Sequence, residues 1–107
     1  MPRKLIFICH KRPEFNAQQF AAEWASARHA AIVEQIPGLT RYVHNYVAAS
    51  DNPSAPDGIG ELWFDTDDAL ENAVSSPEMG AAVKDAKAFL DMDRTYALPA
   101  NEATIVG

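Results

Sequence analysis

Apolar positions along this chain switch between an unbroken run, a helical spacing and an alternation. The run Leu5 to Cys9, inside Lys4 to His10, is too short for a helix and closes on Lys11-Arg12-Pro13. It predicts a first strand covered on both faces. Asn16 and Gln19 then form an Asn-x-x-Gln capping box, and Pro37-Gly38 is a stop, so one helix is expected from Asn16 to about Gln35. At about 100° per residue, Phe20, Trp24, Ala27 and Ala31 form one stripe of that helix, and Ala22, Ala25, His29, Ile32, Val33 and Ile36 a second. Leu39 to Ala49 alternates as a second strand, with Tyr42, His44 and Tyr46 on one face and Arg41, Val43, Asn45 and Val47 on the other. A polar loop with two prolines, Ser50 to Asp57, leads into a third strand, Gly58 to Phe64, and the two strands are expected to pair as an antiparallel hairpin. Asp65-Thr66 opens a second helical region. Pro77, after Ser76, restarts it at an N1 position, and Ala81, Val83, Ala86, Phe89 and Leu90 carry its apolar pattern. Thr95 to Leu98 is a last strand.

The order β-α-β-β-α-β is that of an α+β, ferredoxin-like fold with two helical regions on one face of a four-stranded antiparallel sheet. Such a sheet should be polar on its other face, yet its strands carry apolar and aromatic residues on both parities. The helix, too, has two stripes where a surface helix needs one. Both observations predict a homodimer whose sheets close face to face into a dimeric α/β barrel enclosing a pocket.

Composition narrows the class. A length of 107 residues implies one domain over 1–107, and 48% hydrophobic residues suit a packed core. A net charge of −6, with its nine Lys and Arg scattered, argues against nucleic acid as a partner. A single cysteine, Cys9, is compatible with a reducing compartment. The start MPRKLIFICH mimics a signal peptide, but its apolar run is too short, and no stretch approaches the ~20 apolar residues of a membrane span. A soluble cytoplasmic protein is expected.

Chemistry rests on few side chains. His29, with an ordinary pKa of ~6.5, shares a stripe with Ile32 and Ile36. It reads as a proton shuttle in an apolar cavity or as a hydrogen-bonded core histidine. Tyr42 reads as a donor to a developing enolate oxygen or as core packing. His44 shares its face and reads as a second acid or base, or as a structural residue. His10 is expected at a solvated strand end. Cys9 reads as a small buried hydrophobe, Trp24 and Trp63 as fillers between helix and sheet, and Glu61 as the partner of Arg41 in a structural ion pair. No histidine has a recognised metal-ligand spacing, and no glycine-rich phosphate loop precedes a helix, so neither metal nor cofactor is expected.

The succession LIFICHKR, FAAEWASARHAAIV, PGLTRYVHN, DGIGELWFDT, SSPEM and AKAFLD resembles the EthD family of the dimeric α/β-barrel superfamily over nearly the whole chain. The Trp-x4-His spacing followed by Pro-Gly-Leu-x-Arg-Tyr is its most specific part. The resemblance implies the barrel fold, the homodimer and kinship with small cofactor-free enzymes. Among these, methylmuconolactone isomerases line their pocket with a His and a Tyr at the positions of His29 and Tyr42. They also carry a cysteine on the third strand where this chain has Leu62, which speaks against the same lactone rearrangement. The reading is a cofactor-free lyase or isomerase that transfers a proton next to the carbonyl of a lactone, ketone or phenolic compound. His29, Tyr42 and His44 are its catalytic candidates. The alternatives are a binding or carrier protein for a small hydrophobic ligand, and a cofactor-free oxygenase.

Overall fold

The computed structural model describes residues 3–107. Among them the elements run β1 (Arg3–Cys9), α1 (Ala17–Trp24), α2 (Ala27–Val33), β2 (Arg41–Tyr46), β3 (Gly58–Phe64), α3 (Asp67–Val74), α4 (Pro77–Ala86) and β4 (Tyr96–Asn101). The strands form one sheet in the order β2-β3-β1-β4, every pair antiparallel. This is the ferredoxin-like α+β fold, with the first expected helix built as two short ones and the second helical region restarting at Pro77 as expected. None of the described helices is long and apolar enough to cross a membrane.

The break in the first helix corrects the sequence expectation. Asn16 caps α1 as expected: its side chain accepts from Gln19 N at 2.8 Å, and Gln19 Oε1 accepts from Asn16 N at 2.9 Å. The helix stops at Ala25, because Ser26 turns to an extended backbone (φ −62°, ψ 147°) and its hydroxyl accepts from His29 N at 3.1 Å. Serine competes for the backbone in this way wherever a new N-cap is available. In one unbroken helix, Trp24 and His29 would point about 140° apart. The break turns both inward: Phe20, Trp24, His29, Val33 and Ile36 are buried, while Ala22, Ala25, Ala27 and Ala31 are exposed. The two stripes are thus one buried face passing through a corner. They give no argument for a second subunit on the helices.

Register assigns the sheet's two faces. Rows such as Tyr42–Leu62–Leu5 and His44–Gly60–Phe7 lie under the helices; rows such as Arg41–Trp63–Lys4 and Val43–Glu61–Ile6–Leu98 lie on the opposite, uncovered face. Tyr42, His44 and Tyr46 therefore face the helices of their own chain, not the interior of a two-sheet barrel. Trp63 is on the uncovered face and does not fill the gap between helix and sheet. Its ring lies between Arg41 (4.6 Å to the centroid) and Lys4 (5.2 Å) in cation–π contact. Glu61 pairs with Lys4 at 3.0 Å and accepts from Asn45 at 3.1 Å, so its partner is Lys4 and not Arg41. β4 begins and ends later than expected and contains Pro99, which an edge strand accommodates.

Trp24 fills the space between α1 and the sheet, as expected, over a trough made by Gly58 and Gly60. A Cβ at Gly58 would lie 2.5 Å from Trp24 Cζ3, and one at Gly60 would lie 3.3 Å from Cζ2. Phe20 stacks on the same indole with centroids 5.3 Å apart. Gly58→Ala is expected to destabilise the protein by about 1–3 kcal/mol through overpacking. By contrast Gly80→Ala, on α4 with nothing within 4 Å, should add up to about 1 kcal/mol of stability. Urea unfolding midpoints check both, and equal shifts would contradict the trough.

Candidate functional site

A cavity of about 270 Å³ lies between the sheet and the helices, lined by Phe7, Cys9, Leu62, Val33, Ile36, Met79 and Ala82 together with Trp24, His29 and Tyr42. Among the described residues, no Lys, Arg, Asp or Glu lines it. Both helix halves contribute: α1 ends on Trp24, and the capped start of α2 presents His29 one turn later.

His29 is buried, and its Nδ1 lies 2.8 Å from Asp85 Oδ2. A carboxylate can only accept, so it selects the tautomer with the proton on Nδ1 and leaves Nε2 as the basic nitrogen. Phe89 meets the imidazole edge-on, with centroids 5.2 Å apart at 90°. Asp85 also receives Arg28 Nη1. Burial pushes its carboxyl up, but the bonds from His29 and Arg28 outweigh burial and hold it below the usual carboxylate range. Asp85 was missed in the sequence. It adjoins the buried α4 face Met79, Ala82 and Ala86, and a carboxylate beside an apolar stripe was the one signal available.

Tyr42 lines the same cavity from β2. Burial is the main cause that raises its phenol's pKa, with smaller contributions from Cys9 and Tyr46. The hydroxyl is thereby kept as a neutral donor. His44 is half-buried and stacks on Trp24, with centroids 3.6 Å apart and planes 9° apart. Its Nε2 hydrogen-bonds Tyr42 Oη, and its Nδ1 lies 3.2 Å from Tyr46 Oη. Burial, and then the neighbouring charge of His29, lower its pKa to about 4.

The fold thus brings His29, from α2, and Tyr42, from β2, to one cavity, with His44 behind Tyr42. His10 is not a solvated strand end: it is buried, its N–H donates to Thr95 Oγ1 at 3.1 Å, and its carbonyl accepts from Asp91 N at 2.8 Å. The turn before β4 covers it, and it is absent from the cavity lining. Cys9 is buried, and burial raises its thiol to about 12, which leaves it a poor nucleophile. Among the described residues, no group of three or more His, Cys, Asp and Glu could hold a metal ion.

A family model described as the EthD domain matches residues 12–93. No curated protein matches the chain. Among solved structures, the chain is similar to an ethyl tert-butyl ether D (EthD) family protein from Bacillus halodurans, at 26% identity over 96% of this chain and 100% of the other, with a TM-score of 0.77. It is similar in fold to a dimeric protein of unknown function and ferredoxin-like fold from Bacteroides fragilis, at 14% identity over 94% and 96% of the two chains, with a TM-score of 0.67. It is likewise similar in fold to SnoaB, a cofactor-independent oxygenase from Streptomyces nogalater, at 14% identity over 98% and 96%, with a TM-score of 0.64.

The environment of His44 sets a pH dependence. Its folded pKa is about 4, against 6.5 for the ordinary side chain. Between those values the unfolded chain binds more protons than the folded one. The contribution of the neutral ring to stability is complete above pH 6.5 and is lost as pH falls towards 4. NMR titration should show the His44 ring neutral at pH 5.5. A midpoint near 6.5 would contradict the packing described.

Proposed function

The chain belongs to the EthD family, and on that premise we propose that it is a cofactor-free enzyme that moves a proton next to the carbonyl of a small, uncharged molecule. The observation that carries this reading is His29: a buried imidazole in an apolar cavity wall whose Nδ1 is held by Asp85. Nε2 would remove a proton from the carbon beside the carbonyl. The electron pair would move onto the carbonyl oxygen, and the Tyr42 hydroxyl would stabilise the resulting enolate by donating to it. Return of the proton to another carbon gives an isomerisation, and loss of a leaving group gives a lyase step. Among the described residues no Lys or Arg lines the cavity, which supports a neutral substrate, since a desolvated carboxylate would lack a partner. If the same molecule were only held and not turned over, the protein would be a carrier.

A second reading is cofactor-free oxygenation of an enolisable phenol. It begins with the same proton removal and is motivated by the likeness in fold to SnoaB. Oxygen consumption during turnover would separate it from the first.

We also read the uncovered sheet face as a subunit interface, giving a dimeric α/β barrel. It carries Ile6, Ile8, Val43 and Ile59, and Leu98 and Tyr96 of β4 are 49% and 54% exposed. That is a large apolar surface for water to cover. The dimeric relative of ferredoxin-like fold supports this reading.

Two experiments test these proposals. Incubated in deuterium oxide, neutral cyclic ketones and lactones should take up deuterium beside the carbonyl faster with the protein than without it, and carboxylate analogues should not. His29→Ala should slow uptake about 10²–10⁴-fold, and Asp85→Asn should slow it less. Full activity of His29→Ala would sink the assignment, and recovery of a tightly bound, unchanged ligand would favour the carrier. Separately, Leu98→Glu should shift the protein from dimer to monomer on size-exclusion chromatography with light scattering. A wild-type monomer would remove the interface.

A further inference from the structure

The cavity and the surface are joined by a line of hydrogen-bonding groups on one strand. Tyr42, His44 and Tyr46 share a face of β2. Tyr42 lines the cavity, while Tyr46 is 53% exposed. Between them the His44 ring meets Tyr42 Oη through Nε2 and Tyr46 Oη through Nδ1, the latter at 3.2 Å. Trp24 fixes the plane of that ring, stacked on it at 3.6 Å. Tyr46 is edge-on to the same indole, with centroids 5.5 Å apart at 69°. Both ring nitrogens are thus engaged with phenols that lead in opposite directions, one to the cavity and one to the surface.

We propose that Tyr42, His44 and Tyr46 form a proton relay between the cavity and solvent, with Tyr46 as its surface end. The proposal rests on the proton-transfer reading above and extends it with two relay residues that act through Tyr42. A neutral imidazole has one N–H, so it donates to one phenol and accepts from the other. In the inward arrangement Tyr46 O–H donates to Nδ1, Nε2–H donates to the Tyr42 oxygen, and the Tyr42 O–H points at the substrate oxygen. Protonation of an enolate oxygen breaks the Tyr42 O–H bond. Tyr42 regains a proton from Nε2, Nδ1 takes the proton of Tyr46, and Tyr46 takes one from water. One solvent proton enters, and the ring ends as its other tautomer. The reverse sequence exports a proton and resets the chain, so no oxidant or reductant is needed.

The test follows the Tyr42 hydroxyl proton by NMR saturation transfer from water, with no substrate present. Tyr46→Phe removes only the outer hydroxyl, and the ring-current shift of His44 over Trp24 reports whether the stack survives. Exchange of the Tyr42 hydroxyl is expected to slow at least tenfold in Tyr46→Phe. A signal broadened beyond detection in the wild type that emerges in the variant counts as slowing. His44→Phe, which keeps an aromatic ring against Trp24 but breaks the line at its centre, should slow exchange equally. Unchanged or faster exchange in these variants, or a signal broadened in all of them, would overturn the relay and show that water reaches Tyr42 by another path. The readout needs no turnover. A failed relay therefore leaves the role of His29 standing, and a failed role for His29 leaves the relay standing.

Discussion

The close approach of Trp24 to a two-glycine trough is the contact on which the rest of this structure depends. An indole is too large to lie between a helix and a sheet that carries side chains beneath it. Here Gly58 and Gly60 remove those side chains at successive helix-facing positions of β3. The indole then lies low enough for the His44 ring to stack on it. The same seating leaves the space beside Trp24 as a cavity, walled by Phe7, Leu62 and Tyr42. Close packing explains why so few atoms decide this: an interior near crystal density has no slack for one more methyl.

The corner at Ala25-Ser26 is the second half of the same device. A straight helix that buried Trp24 would turn His29 aside. The Ser26 cap redirects the chain so that both side chains reach one cavity. Asp85 then arrives from α4 and fixes the imidazole, with Arg28 on its other oxygen. The charged partners lie behind the histidine, and the apolar lining lies in front. That arrangement keeps the charged groups of Asp85 and Arg28 out of the cavity lining.

Much of this was legible in the chain, for identifiable reasons. The order of elements along the chain, the Asn16 capping box, the Pro77 start and the bounds of β3 are local signals, and local backbone chemistry decides them. The Ser26 break was not read, because alanine-rich sequence on both sides favours helix and a mid-helix serine is an ordinary sight. That omission produced the second apolar stripe and, with it, a false reason to expect a partner on the helices. Parity grouped Tyr42, His44 and Tyr46 correctly, but a single strand does not say which face meets the helices. On that account the sequence pattern puts Trp63 between helix and sheet, whereas the structure puts it on the opposite face. Asp85 and the burial of His10 depend on contacts across more than 50 residues of sequence, which no local pattern encodes.

Alternation along β3 has a consequence for how this chain can change. Gly58 seats Trp24 and Gly60 and Leu62 line the cavity, while Ile59, Glu61 and Trp63 serve the opposite face. Substitutions can therefore alter one face and leave the other intact, and the two surfaces are free to diverge at separate rates. An inserted or deleted residue has no such freedom. A slip of one position would drive Ile59, with Glu61 or Asp57, under Trp24 and turn the glycines outward. Changes in length are accordingly best accommodated in loops such as residues 48–56, leaving the strands as a fixed ruler against which both surfaces are measured.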